Sequence, residues 1–130
     1  MTTALMCLLI VAILPYVFTG AGAYLRIKQF GSLDDQQPRV QALELRGTGA
    51  RAYAAQHNAW EALAFFASAV VVTHLVGVDP AKTALPLIIF VVARVLHGIV
   101  YIANLAALRT LTFVIGTGCV LHLFYLTITA

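Results

Sequence analysis

Arg94, His97 and Tyr101 stand at i, i+3 and i+7 inside an otherwise uncharged run, a spacing that puts all three on one face of a helix. Arg51, Asn58 and Glu61 stand at i, i+7 and i+10 in the preceding run and share one side of their own helix. Arg109 and Thr110 head the last run. Brought to one level, these residues offer three guanidinium forks, a carboxylate, an amide and a phenol. Guanidinium forks hold carboxylates in a bidentate fashion, and a carboxylate holds an amine. The set therefore suits a zwitterionic ligand with several carboxylates. The plainer alternative is a Glu61–Arg94 pair that only locks two helices together.

The elements that must position these side chains follow from hydropathy. The chain is 62% hydrophobic and 10% charged, and its mean hydropathy is +0.93. A soluble domain carries about 25% charged residues to cover its surface. This one has too few, so its outer surface faces something apolar, and the expectation is the lipid bilayer. Four apolar runs divide the chain: Met1 to Leu25, Arg51 to Asp79, Thr83 to Leu108 and Thr110 to Ala130. Each is long enough for the roughly 20 helical residues that cross a bilayer, whereas a barrel strand needs only about 10 and would alternate. The sequence predicts a single-domain, all-α membrane protein, a four-transmembrane-helix bundle with helices near 3–25, 52–78, 83–107 and 109–129. Pro15 is expected to kink the first helix. That helix is read as retained rather than cleaved, because no Lys or Arg precedes it and it outruns a usual signal-peptide core.

The links differ in character. Arg26 to Ala50 is polar, with Gly31-Ser32, Asp34-Asp35, Pro38 and Gly47-Thr48-Gly49 as breakers, and reads as loop. The second link turns tightly through Asp79-Pro80, and the third, near Asn104 to Leu108, has little polarity and must turn sharply. Of the eight Lys and Arg residues, five lie between Arg26 and Arg51. The positive-inside rule then puts the first and third links in the cytoplasm and both termini on the other side. In that topology Glu61 and Arg94 lie within the bilayer, where a charge costs at least about 2.5 kcal/mol and must face protein or a wet cavity.

The net charge of +3 is local to that link, not a basic stripe on a polar domain, so a nucleic-acid partner is not expected. Cys7 and Cys119 lie far apart inside apolar runs and read as packing residues. His57 and His74 lie too far apart on one helix, about 25 Å, to share a metal. His74 and His122 offer only a weak case as axial haem ligands, and no metal site is expected. Gly116-Thr117-Gly118 reads as small-residue helix-packing surface.

Segments of the chain resemble the MAPEG proteins, the membrane-associated proteins of eicosanoid and glutathione metabolism. Ala50 to Ala62, ARAYAAQHNAWEA, resembles that family's second-helix signature through Gln56, Asn58 and Glu61. Ala93 to Tyr101, ARVLHGIVY, is similar to its third-helix segment, and Arg109-Thr110 to its Arg-Ser pair. Tyr24 to Asp35, YLRIKQFGSLDD, resembles the loop after the first helix in the prostaglandin synthases. The resemblance implies a four-helix protomer, a homotrimer and glutathione bound near the cytoplasmic face between protomers. Asn58, Glu61, Arg94 and Tyr101 would bind glutathione as its cosubstrate site, with Arg51 beside them. Arg109 would stabilise the thiolate, Thr110 would add a hydroxyl, and Asp35 sits where one branch has a catalytic Asp. Two positions depart from the pattern: Ala54 replaces a clamping Arg, and Phe113 lacks the hydroxyl of one branch's Tyr.

The expected function is a membrane-embedded glutathione-dependent transferase or peroxidase acting on lipophilic small molecules that are electrophiles, in a bacterial inner membrane. The alternative is a non-catalytic lipid-binding or scaffold protein of the same fold. The two part at Arg109, which only an enzyme needs for thiolate formation.

Overall fold

The computed structural model describes residues 2–130, which form five helices. They are α1 (Thr3–Phe30), α2 (Pro38–Leu43), α3 (Thr48–Val76), α4 (Pro80–Ile102) and α5 (Ala106–Ile128). Four of them, all but α2, are long and apolar enough to cross a membrane. The protein is all-α and an integral, multi-pass membrane protein.

Most helix ends differ from the hydropathy boundaries, and local capping chemistry explains why. The first helix runs past Leu25 to Phe30 because charged and amide side chains are good helix formers. It stops at Gly31, whose φ of 85° is left-handed and whose N–H donates to the Ile27 carbonyl at 2.8 Å. Pro80 opens α4 three residues earlier than expected, since a proline suits the first helical position and the Asp79 carboxylate caps the Ala81 N–H at 2.9 Å. At the other end of α4, Asn104 adopts φ 63° and turns the chain straight into α5. That is the sharp third turn the apolar link required.

The first link is not the plain loop its breakers suggested. Pro38 starts α2 instead of interrupting a coil. Two glutamines then act as clamps: Gln29 donates to the Glu44 carbonyl and accepts from the Arg46 N–H, each at 3.1 Å. Gln41 does the same with the Ser32 carbonyl at 2.9 Å and the Asp34 N–H at 3.1 Å. Gly47 precedes α3, but Gly49 lies within it, buried against Leu45.

In lipid, helices associate through packing and not through water exclusion, so small residues at contacts matter. Ala52, Ala55, Ala59 and Ala69 are buried along α3. Gly98 of α4 makes room for a ring in the same way, since a Cβ there would collide with the Phe18 ring of α1. One core cluster joins the four long helices through residues such as Val11, Phe66, Phe90 and Leu123. Phe66 and Phe90 stack with ring centroids 4.1 Å apart. Gly116 is also buried, and a Cβ there would make ordinary contact with Arg94 Cδ at 3.6 Å. Gly118 faces open space and is exposed.

Candidate functional site

The face of α4 that meets α3 and α5 carries Phe90, Arg94, His97 and Tyr101, one above another at helical spacing. Arg94 is 4% exposed. Its Nη2 donates to the Asn58 side-chain oxygen and to the Asn58 carbonyl oxygen, the latter at 3.4 Å. Asn58, and not Glu61, is thus the hydrogen-bond partner of this buried cation. A guanidinium has five N–H donors, so donors on Nε and Nη1 remain for a ligand.

Glu61 follows Asn58 by one helical turn and shares a cavity of about 230 Å³ with Asn58 and Arg94. Phe65, Phe90, Phe113 and Thr117 complete its walls with Ala62. The chamber therefore has an aromatic lining and a charged edge. Glu61, Phe65 and Phe113 are exposed on the isolated protomer, so the chamber opens sideways between α3 and α5.

A second cavity of about 270 Å³ adjoins it, sharing Asn58 and Phe113 and adding His97, Tyr101, Arg109 and Thr110. The Arg109 guanidinium carbon sits 4.7 Å from the centre of the Tyr101 ring, a cation–π contact that fixes the cation beside the chamber. The Thr110 hydroxyl donates to the Ala106 carbonyl at 3.2 Å and is exposed.

His97 is 2% exposed. Its Nδ1 lies 3.1 Å from the Arg109 carbonyl oxygen and 3.2 Å from the Thr112 hydroxyl. That hydroxyl is placed to donate to the Leu108 carbonyl at 2.9 Å. A carbonyl only accepts, so Nδ1 carries the proton by this network, and Nε2 is left as an acceptor. Nε2 is buried and has no partner among the described residues. A buried polar atom without a partner is costly, and this one is closed off from solvent although the residue lines the second cavity.

The structure brings together Asn58, Glu61 and Arg94 in one chamber and Asn58, Tyr101, Arg109 and Thr110 in the other. Arg51 is placed differently from expectation. Its Nε donates to the Ile102 carbonyl at 2.9 Å and its Nη2 to the Thr48 hydroxyl at 3.1 Å, tying α3 to the α4–α5 turn. Asp35 is exposed in the segment before α2 and lines neither chamber. Sequence reasoning had His97 on the right face but gave it no role. The signal was its spacing from Arg94 and Tyr101. Phe65 and Thr117, as walls, carried no such signal.

A family model described as the MAPEG family matches residues 3–129. The chain belongs to the MAPEG family. No curated protein and no solved structure matches it. Membership makes this a membrane protein of the family concerned with glutathione and eicosanoid metabolism. In this MAPEG chain the clustered polar residues lie on three different helices, and the family match spans all of them.

Proposed function

We propose that this MAPEG protein is a membrane-embedded glutathione-dependent transferase or peroxidase acting on lipophilic electrophiles. The observation that carries the reading is the pair of adjoining chambers, in which two arginines, a carboxylate, an amide and a phenol converge on the α3–α4–α5 groove. The donor set fits glutathione, which bears two carboxylates, one ammonium, peptide groups and a thiol. Arg94 and Arg109 suit anionic groups, Glu61 suits the ammonium, and Asn58 and Tyr101 suit amides and carboxylates. The thiolate is the nucleophile in such chemistry, and a nearby cation lowers a thiol's pKa. Arg109 is the cation for that task, with the Thr110 hydroxyl beside it able to donate once it leaves the Ala106 carbonyl. Its place in the first turn of α5 adds a favourable helix dipole. The aromatic walls suit a lipophilic second substrate arriving from the bilayer.

The reading includes a homotrimer, as the family implies. On the isolated protomer His57, Trp60, Glu61, Ala64, Phe65 and Ser68 form one exposed stripe of α3. A carboxylate facing lipid at that depth costs at least about 2.5 kcal/mol, and small residues such as Ala64 and Ser68 let another helix approach. A neighbouring copy on this stripe removes the cost. The basic first link and the α4–α5 turn share one end of the bundle, joined by Arg51, and the reading puts that end in the cytoplasm with both termini opposite.

The test is titration of glutathione into purified protein while following the ultraviolet thiolate band. Saturable binding with a thiolate signal at neutral pH is expected. Binding without that signal would favour the lipid-binding or scaffold alternative, and no binding would remove glutathione from the account.

A further inference from the structure

A separate cavity of about 160 Å³ lies between α1, α2 and α3 and shares no residue with the two chambers. Thr19, Gly22, Arg26, Arg39, Tyr53 and Gln56 are among its lining residues. Thr19 and Gly22 belong to the uncharged stretch of α1, and Arg26 is the first charge after it. The cavity therefore straddles the level where the apolar span ends and headgroups begin.

Its lining holds two guanidinium groups and no carboxylate. Arg26 spends Nη1 on the Pro38 carbonyl at 3.0 Å, which fastens α2 over α1 and holds the fork at the mouth. Of the carboxylates near Arg39 in sequence, none of Asp34, Asp35 and Glu44 lines the cavity. Asp34 accepts from the Gln36 and Gln37 N–H groups at 2.9 Å each. The floor is apolar, with Ala42 and Leu45 buried. Gly22 is buried too, yet a Cβ there would meet nothing within 4 Å. A side chain at position 22 would therefore enter open space.

We propose that this cavity is a headgroup site for an anionic glycerophospholipid, with the phosphodiester between Arg26 and Arg39 and the glycerol end on the apolar floor. Arginine forks match phosphate oxygens in a bidentate manner. Basic pockets between membrane helices are a known way of holding such headgroups. The absence of a carboxylate in the lining selects against a choline headgroup, whose ammonium would find no partner. The proposal is independent of glutathione use.

Native mass spectrometry of the detergent-purified oligomer, after exchange into micelles doped with phosphatidylglycerol or phosphatidylcholine, tests it. Retained phosphatidylglycerol should exceed retained phosphatidylcholine, and Arg39→Gln, at an exposed position, should lower that retention by about tenfold or more. Gly22→Leu should block the site while leaving both charges in place. Equal retention of the two lipids, or retention unchanged in both Arg39→Gln and Gly22→Leu, would overturn the proposal. Displacement of the lipid by an equimolar amount of inorganic phosphate would also overturn it, because the ligand would then be a free anion and not a lipid.

Discussion

Arg109→Ala separates an enzyme from a scaffold, and the size of its effect can be worked from the geometry. Arg109 is half-buried and stacked on Tyr101 at the edge of the second cavity. A cation about 4 Å from a thiolate, at an effective dielectric of about 20, favours the anion by about 4 kcal/mol. Water at the open side weakens this, and half of it, about 2 kcal/mol, corresponds to about 1.5 pKa units. A thiol of pKa about 8.5 then falls to about 7, and its thiolate share at neutral pH rises from about 3% to about 50%. Arg109→Ala should therefore lose about fifteen-fold in thiolate absorbance and a comparable factor in conjugation of chlorodinitrobenzene, with most glutathione affinity retained. Arg109→Lys should keep part of the signal, since the charge survives. Turnover by Arg109→Ala at the wild-type rate would exclude Arg109 from thiolate formation, as would an unchanged thiolate band.

Arg94→Ala and Glu61→Gln should weaken glutathione binding itself, by about 1.5–3 kcal/mol for a charged hydrogen bond, read by calorimetric titration. In a background lacking Cys7 and Cys119, Thr2→Cys and Ala130→Cys should react with an impermeant maleimide in intact cells, while Ser32→Cys stays protected. The reverse pattern would invert the topology. Mass in detergent, corrected for bound detergent, should give three copies, and a monomer that still binds glutathione would end the shared-site idea. Gly98→Ala should destabilise the bundle by about 1–3 kcal/mol through overpacking against Phe18, seen as a lower thermal midpoint in detergent.

Hydropathy made the four long helices legible, because lipid demands continuous apolar runs of that length and nothing else in the chain competes. Helix ends were less so. Gly31, Pro80 and Asn104 end or start helices through backbone conformation and capping, which average hydropathy does not register. The segment containing α2 looks like loop in the sequence because proline is usually a breaker, whereas Pro38 at a first helical position costs no hydrogen bond. In the groove, helical spacing correctly grouped Arg94, His97 and Tyr101, since one helix fixes their relative directions. Spacing could not decide which partner Arg94 takes. Asn58 and Glu61 are a turn apart on the same face, and only the offset between α3 and α4 selects Asn58. Arg51 was grouped with them by angle, but it sits at the helix end, where the Ile102 carbonyl is within reach.

The aromatic chamber opens sideways between α3 and α5 and not along the bundle axis, so in the proposed trimer its mouth lies at the seam between copies, where lipid borders the α5 side. For a substrate dissolved in the bilayer, the quantity that governs encounter is then its mole fraction among the lipids, not its concentration in the buffer. In the proposed reaction, adding detergent or vesicles at fixed total substrate would dilute the reactant in the apolar phase and slow turnover without any change in the protein. An apparent KM expressed per litre would rise with the amount of amphiphile present, and kinetic constants from different preparations become comparable only when each is referred to the apolar phase.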